Sequence, residues 1–204
     1  MNTPASYFDR QYADATDPWG LAERWYDRRK YHLTVAALPR PRYVRAFEPG
    51  CSVGVLTELL AVRCDTLLST DRIASAVAAT ARRTAGSDQV TARRMTVPEQ
   101  WPEGCFDLVV LSELLYYFDF TTRAQLLAQS MESLEEGGHL VTVHWNHPVP
   151  EHTCTGRDIA DCLDTVAELR SLARYDDPDF TLTVHEHGRG VGPALSPARA
   201  EGLV

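Results

Sequence analysis

The segment Glu48-Pro49-Gly50-Cys51-Ser52-Val53-Gly54 constrains this chain more than any other. It leads from an apolar stretch, 43–48, that reads as a strand into a stretch beginning at Val55 that reads as a helix. Glycine at 50 permits backbone geometry that side chains resist, and glycine at 54 lets the helix sit close to the strand. In doubly wound sheets, ligands bind at the C-terminal ends of the strands. Small residues between the two glycines leave room for a ligand against the backbone. Taken alone, the same glycines describe only a tight strand–helix turn.

The rest of the chain continues the alternation. Residues 66–70, 89–95, 107–111 and 139–145 read as strands, and the unbroken apolar run at 107–111 suits a strand buried on both faces. Helices are expected at 55–63, at 73–84 up to Gly86, at 121–134 with Gly137-Gly138 as stop signal, and at 155–172 with Thr155 as N-cap. Residues 174–176 and 180–186 flank Asp177-Pro178-Asp179 and read as a closing antiparallel pair. The fold class is therefore α/β, a doubly wound, mostly parallel sheet covered on both faces. Ahead of it, 5–38 is rich in aromatic and charged residues, with a helix expected over 19–38 and ended by Pro39 and Pro41. After Gly188 the chain holds glycine and proline and little apolar pattern, which predicts a loose tail. The expected organisation is an N-terminal helical segment at 1–40, a main domain at 41–187 and a tail at 188–204.

Asp71 lies at the predicted end of the second strand, 17 residues after Gly54. An acid there can accept hydrogen bonds from both hydroxyls of a ribose. It can also serve as an N-cap for the next helix. Glycine turn and spaced acid together point to a nucleoside ligand. A dinucleotide site wants G-x-G-x-x-G, but only Gly50 and Gly54 are glycine, and Glu48 would repel a pyrophosphate. S-adenosylmethionine has a ribose, an ammonium and no phosphate, and it tolerates that carboxylate.

Glu48-x-Gly50-x-x-x-Gly54 resembles motif I of class I S-adenosylmethionine-dependent methyltransferases, and Glu-Pro-Gly-Cys-Ser-x-Gly is similar to its form in the nodulation protein S branch. Asp17-Pro18-Trp19, Trp25-Tyr26, Lys30-Tyr31, Trp101-Pro102, the block from Phe106 to Glu113 with Tyr116-Tyr117, Gly137-Gly138-His139 and Val143-His144-Trp145 agree with that branch. The resemblance spans about residues 7–187. It implies a seven-stranded Rossmann-like sheet, an N-terminal helical lid, and S-adenosylmethionine as cofactor with S-adenosylhomocysteine as product. It also implies roles. Glu48, Gly50, Cys51, Ser52 and Gly54 would line the methionine part and ribose. Asp71 would hold the ribose hydroxyls, Arg72, Met95 and Thr96 would border the adenine, and Ser112 and Glu113 would face the methionine moiety.

Tyr116 and Tyr117 stand where the site should open, as core aromatics or as walls for a sugar or the sulfonium. His144 leaves the fifth strand where chemistry belongs and is the candidate general base. His147, His152 and Cys154 follow, but their spacing matches no standard zinc pattern, so no metal is expected. An amine needs only deprotonation to accept the methyl, whereas a neutral hydroxyl needs a stronger base or a metal. This favours a nitrogen acceptor; the expected acceptor is a small molecule, by resemblance an amino sugar or saccharide. An O- or N-methyltransferase of specialised metabolism is the alternative, and a cofactor-binding protein without turnover a third. The net charge is −8, with 17 acids against 6 bases after residue 100, which disfavours a nucleic-acid partner. Five cysteines without a CxxC pair and the absence of a long apolar run suggest a cytoplasmic protein off the membrane, with reduced thiols.

Overall fold

The computed structural model describes residues 1–188 and 194–204. Two helices come first, α1 (Ala5–Asp14) and α2 (Trp25–Ala36). Then β1 (Tyr43–Pro49), α3 (Val55–Ala61), β2 (Cys64–Asp71), α4 (Ala74–Arg83), β3 (Val90–Arg94) and β4 (Phe106–Ser112) alternate. A single 3-10 turn (Leu115–Tyr117) precedes α5 (Phe120–Ser133), β5 (Leu134–Trp145), α6 (Gly156–Leu163), β6 (Leu169–Asp176), β7 (Phe180–His187) and α7 (Pro197–Ala200). The seven strands form one sheet in the order β3-β2-β1-β4-β5-β7-β6. β7 runs antiparallel to both its neighbours, and the other pairings are parallel. The expected doubly wound, mostly parallel seven-stranded sheet is what the chain forms.

Alternation along the central strands divides the core in two. On β4, Leu108 and Val110 face a cluster that includes Tyr31 of α2 and Leu56 and Leu60 of α3. Val109 and Leu111 face the opposite cluster, with Leu126 and Leu127 of α5 and Ile159 and Leu163 of α6. All seven residues of β4 are buried, as its unbroken apolar run requires.

Three expectations need correction. The helix read over 19–38 begins only at Trp25, because the Asp17 carboxylate accepts from the N–H groups of Leu21 (3.0 Å) and Ala22 (2.9 Å) and holds a turn there. Gly137-Gly138 does not separate helix from strand: α5 ends at Ser133, and β5 starts at Leu134 and runs through both glycines, with a register shift against β4 between Phe106 and Leu108. The helix read over 155–172 stops at Leu163, and Leu169 already pairs with His187 as β6. Its polar residues tolerate an edge strand that has one exposed side, which the apolar spacing does not distinguish from a helix. Thr155 is the N-cap, within a capping box completed by Asp158. Residues 189–193 of the expected loose tail lie outside the described residues. Beyond them, Leu195 N–H donates to Glu186 (2.9 Å) and α7 makes one turn.

Gly54 carries the turn after β1. Its φ is +78°, and a Cβ there would lie 2.9 Å from Thr80 Cα on α4. Gly54→Ala is expected to cost about 2 kcal/mol or more, from the left-handed backbone and the collision with main chain. Gly86, where a Cβ meets nothing within 4 Å, provides the comparison. Gly86→Ala should shift stability by less than about 0.5 kcal/mol. Urea unfolding of both variants checks this, and equal losses would contradict it.

Candidate active site

The C-terminal ends of β1, β2, β4 and β5 open onto a cavity of about 680 Å³, roofed by α1, α2 and the residues preceding α1. Of the thirteen residues expected at the site, eleven line it: Glu48, Gly50, Cys51, Ser52, Asp71, Arg72, Met95, Thr96, Ser112, Glu113 and Tyr117. Gly54 does not. It packs behind the turn on Thr80 and so shapes the loop from below. His144 does not either. It is fully buried, and its Nε2 accepts from Leu115 N–H at 3.0 Å. Burial pushes its pKa down to about 3, so it is a neutral anchor for the 3-10 turn and not a base within reach of an acceptor.

One end of the cavity is built by the loops after β1, β2 and β3. Gly50 (φ +80°) and Ser52 (φ +49°) curl the loop so that Gly50 N–H and Cys51 N–H both donate to Thr70 O, at 2.7 and 2.9 Å. Asp71 ties the loop to α4: its carboxylate accepts from Ser52 N–H (3.0 Å) and Ile73 N–H (2.9 Å). Asp71 is not the N-cap of α4, which is Ile73; its bond to Ile73 N–H lies just before the helix, and the residue lines the cavity. Burial raises its pKa, while the two N–H donors pull it back. Tyr12 of α1 reaches across, its hydroxyl 2.6 Å from Ser52 Oγ. Phe8 of the same helix lies under the Arg72 guanidinium.

Glu48 is sealed below this loop. One carboxylate oxygen accepts from the hydroxyls of Thr57 (2.6 Å) and Ser69 (2.8 Å). Burial outweighs these bonds and pushes its pKa up to about 7. Glu113 is its opposite. It follows β4 with φ +51°, a conformation costly for a side chain that has a Cβ. It accepts from Lys30 Nζ (2.7 Å) and from the Tyr116 hydroxyl. Burial is the largest single influence and would raise its pKa, but Lys30, His144 and the Tyr116 hydroxyl together outweigh it, and the carboxyl sits below the usual range. Lys30, the chain's single lysine, is buried and also donates to Asp27 (3.0 Å). The rings of Tyr26 and Tyr31 flank it. One ammonium is thus shared by two carboxylates.

The expected set omits Lys30, Asp27, Tyr12 and His152, all of which reach this space. Three buried polar atoms on the wall, Thr70 Oγ1, the Tyr26 hydroxyl and His152 Nδ1, have no hydrogen-bond partner among the described residues. Buried polar groups are rarely left so, and a polar ligand would satisfy them. With a glycine-lined loop, an acid at the end of β2 and space for a nucleoside, the residues fit S-adenosylmethionine. Among the described residues no group of three or more metal-ligating side chains could hold an ion, and no helix is long and apolar enough to cross a membrane.

Comparison with known proteins agrees with this geometry. The family description of nodulation protein S (NodS) matches residues 5–136. Nodulation protein S of Rhizobium tropici is 28% identical over 175 residues, covering 81% of this chain and 72% of its own. A crystallised chain from Pseudomonas syringae, provisionally named a methyltransferase, is 36% identical with a TM-score of 0.71, over 80% of this chain and 100% of that one. N-methyltransferase NodS of Bradyrhizobium japonicum WM9, solved with S-adenosyl-L-homocysteine, shares the fold at a TM-score of 0.81 and 23% identity, over 92% of this chain and 99% of that one.

The raised pKa of Glu48 has a measurable consequence. Between its usual value of 4.5 and about 7, the folded protein holds a proton that the unfolded chain has lost. This group's contribution to stability is therefore fullest below about 4.5 and declines as pH rises through about 7. The shift corresponds to about 3 kcal/mol. Cofactor-free wild type should lose stability relative to Glu48→Gln between pH 5 and 8, as read by urea unfolding. Parallel curves for the two proteins would contradict the assignment.

Proposed function

The chain belongs to the nodulation protein S family and is an S-adenosylmethionine-dependent methyltransferase, and from that premise we propose that it methylates the amino group of an amino sugar or short saccharide. The observation that carries this reading is the charge at the cavity end formed by β4, β5 and α2. There Glu113 and Asp27 share Lys30, Arg24 stands near Asp27, and Glu151 adds a third carboxylate, so three acids face two cations. Such a site favours a ligand that arrives as an ammonium and disfavours an anionic one. Tyr7, Phe8, Tyr26, Tyr117 and Trp145 supply the aromatic wall that a sugar ring packs on.

The cofactor, when bound, supplies an already activated methyl on a sulfonium, so the protein's work is to bind, orient and keep water out. Glu48, Gly50, Cys51, Ser52 and Asp71 would hold the methionine part and ribose; Arg72, Met95 and Thr96 would border the adenine; Ser112 and Glu113 would face the methionine moiety. Tyr117 would flank the transferring methyl beside the acceptor. Residues 1–40 would act as a lid, which must open for exchange because α1 and α2 roof the cavity.

A de-N-acetylated chitooligosaccharide should accept label from methyl-labelled S-adenosylmethionine, with the methyl on nitrogen by mass fragmentation. The fully N-acetylated oligosaccharide should accept none. Transfer to a hydroxyl, or equal transfer to both, would contradict the proposal.

A further inference from the structure

Three histidines end or follow β5, and they differ in what they face. His144 is sealed under the 3-10 turn. His147 is exposed and pairs with Asp179 at 2.8 Å. His152 lines the cavity. Its ring is held by packing and not by its own nitrogens. It stacks on Tyr116 with centroids 3.6 Å apart at 17°, and the Tyr117 ring stands edge-on at 5.0 Å and 87°. The backbone on either side is fastened too. His152 N–H donates to Val149 O at 3.1 Å, and Thr153 N–H donates to Tyr116 O at 2.7 Å. A rigid imidazole thus lines the cavity with its Nδ1 buried and without a partner among the described residues, which leaves Nε2 as the nitrogen able to meet a ligand.

The groups around it suit a proton acceptor. Glu113 comes from the end of β4 and Glu151 from the same loop, and both favour the imidazolium. Tyr116 and Tyr117 come from the 3-10 turn, and His144 of β5 lies beyond Tyr116, 5.3 Å from ring to ring. Burial outweighs the two carboxylates and holds the His152 pKa below its ordinary 6.5. The ring is therefore neutral near pH 7, with a lone pair to offer.

We propose that His152 is a catalytic residue that takes the proton an acceptor ammonium must shed before it can be methylated; this rests on the amine reading above. The acceptor arrives as R–NH3⁺. One N–H proton passes to Nε2, leaving a neutral amine and an imidazolium balanced by Glu113 and Glu151. The nitrogen lone pair then forms the N–C bond to the methyl as the C–S bond breaks. The electron pair of that bond stays on sulfur, giving S-adenosylhomocysteine. Positive charge ends on the methylated nitrogen, R–NH2⁺–CH3, and the imidazolium releases its proton to solvent.

The test compares wild type with His152→Gln and His152→Phe, the second of which keeps the stack on Tyr116. Transfer to the de-N-acetylated chitooligosaccharide is followed against pH, and S-adenosylhomocysteine binding is measured by calorimetry. Both variants should bind S-adenosylhomocysteine as wild type does and fold normally. Their kcat should fall on the order of 10²-fold near pH 7. The deficit should shrink as pH rises past the pKa of the amine, where the acceptor arrives already neutral. A wild-type rate and pH profile in either variant, or a deficit constant with pH, would overturn the proposal while leaving the amine reading intact. No transfer by wild type itself would overturn the amine reading, and the proposal with it.

Discussion

A buried ammonium cannot stand alone, and Lys30 decides how the site is assembled. Removing one partner of a buried ion pair costs about 3–5 kcal/mol, because the other charge is left uncompensated. Lys30 finds Asp27 one turn back on its own helix and Glu113 at the tip of β4. That second bond pins α2 over the carboxyl ends of the strands. While α1 is fastened separately by Tyr12 at Ser52, the α2 side of the roof follows from this bond. The helix becomes a roof, Tyr26 and Tyr31 are brought against the cation, and Glu113 is held in a left-handed conformation that its own Cβ disfavours.

The same cluster separates two carboxylates of the site. Glu113, supplied with a cation and the Tyr116 hydroxyl, stays ionised. Glu48, given only hydroxyl donors and buried, titrates near 7. Two acids in one cavity therefore offer different charge states near neutral pH, a consequence of burial and partners alone. A ligand carrying an ammonium meets negative charge where Lys30 is oversubscribed. It meets an adjustable carboxyl where the loop after β1 closes.

Much of this was legible in the chain because it is written locally. The turn around Gly50 and Gly54, the acid at 71 and the apolar run of β4 each depend on residues close in sequence, and each sits where its spacing predicts. What was not legible depends on contacts over long distances. Lys30 and Glu113 are 83 residues apart, and Tyr12 and Ser52 are 40 apart. The one available signal was compositional: a single lysine in a chain otherwise basic through arginine, set among aromatic residues. His144 misled because the end of a strand is the usual place for chemistry, yet whether the ring points into the cavity or under the 3-10 turn depends on the turn itself. His152, eight residues on, sits in a loop with no periodic pattern, and only its stack on Tyr116 shows where it faces.

The central claim is that the loop after β1 and the acid ending β2 form a nucleoside site. Calorimetric titration with S-adenosylhomocysteine, on wild type and on Asp71→Ala shown by urea unfolding to be folded, tests it most directly. The account predicts saturable one-to-one binding by wild type, weakened at least ~10-fold in the variant through the loss of bonds to the ribose hydroxyls. Wild type that does not bind, or a folded variant that binds equally well, would contradict it.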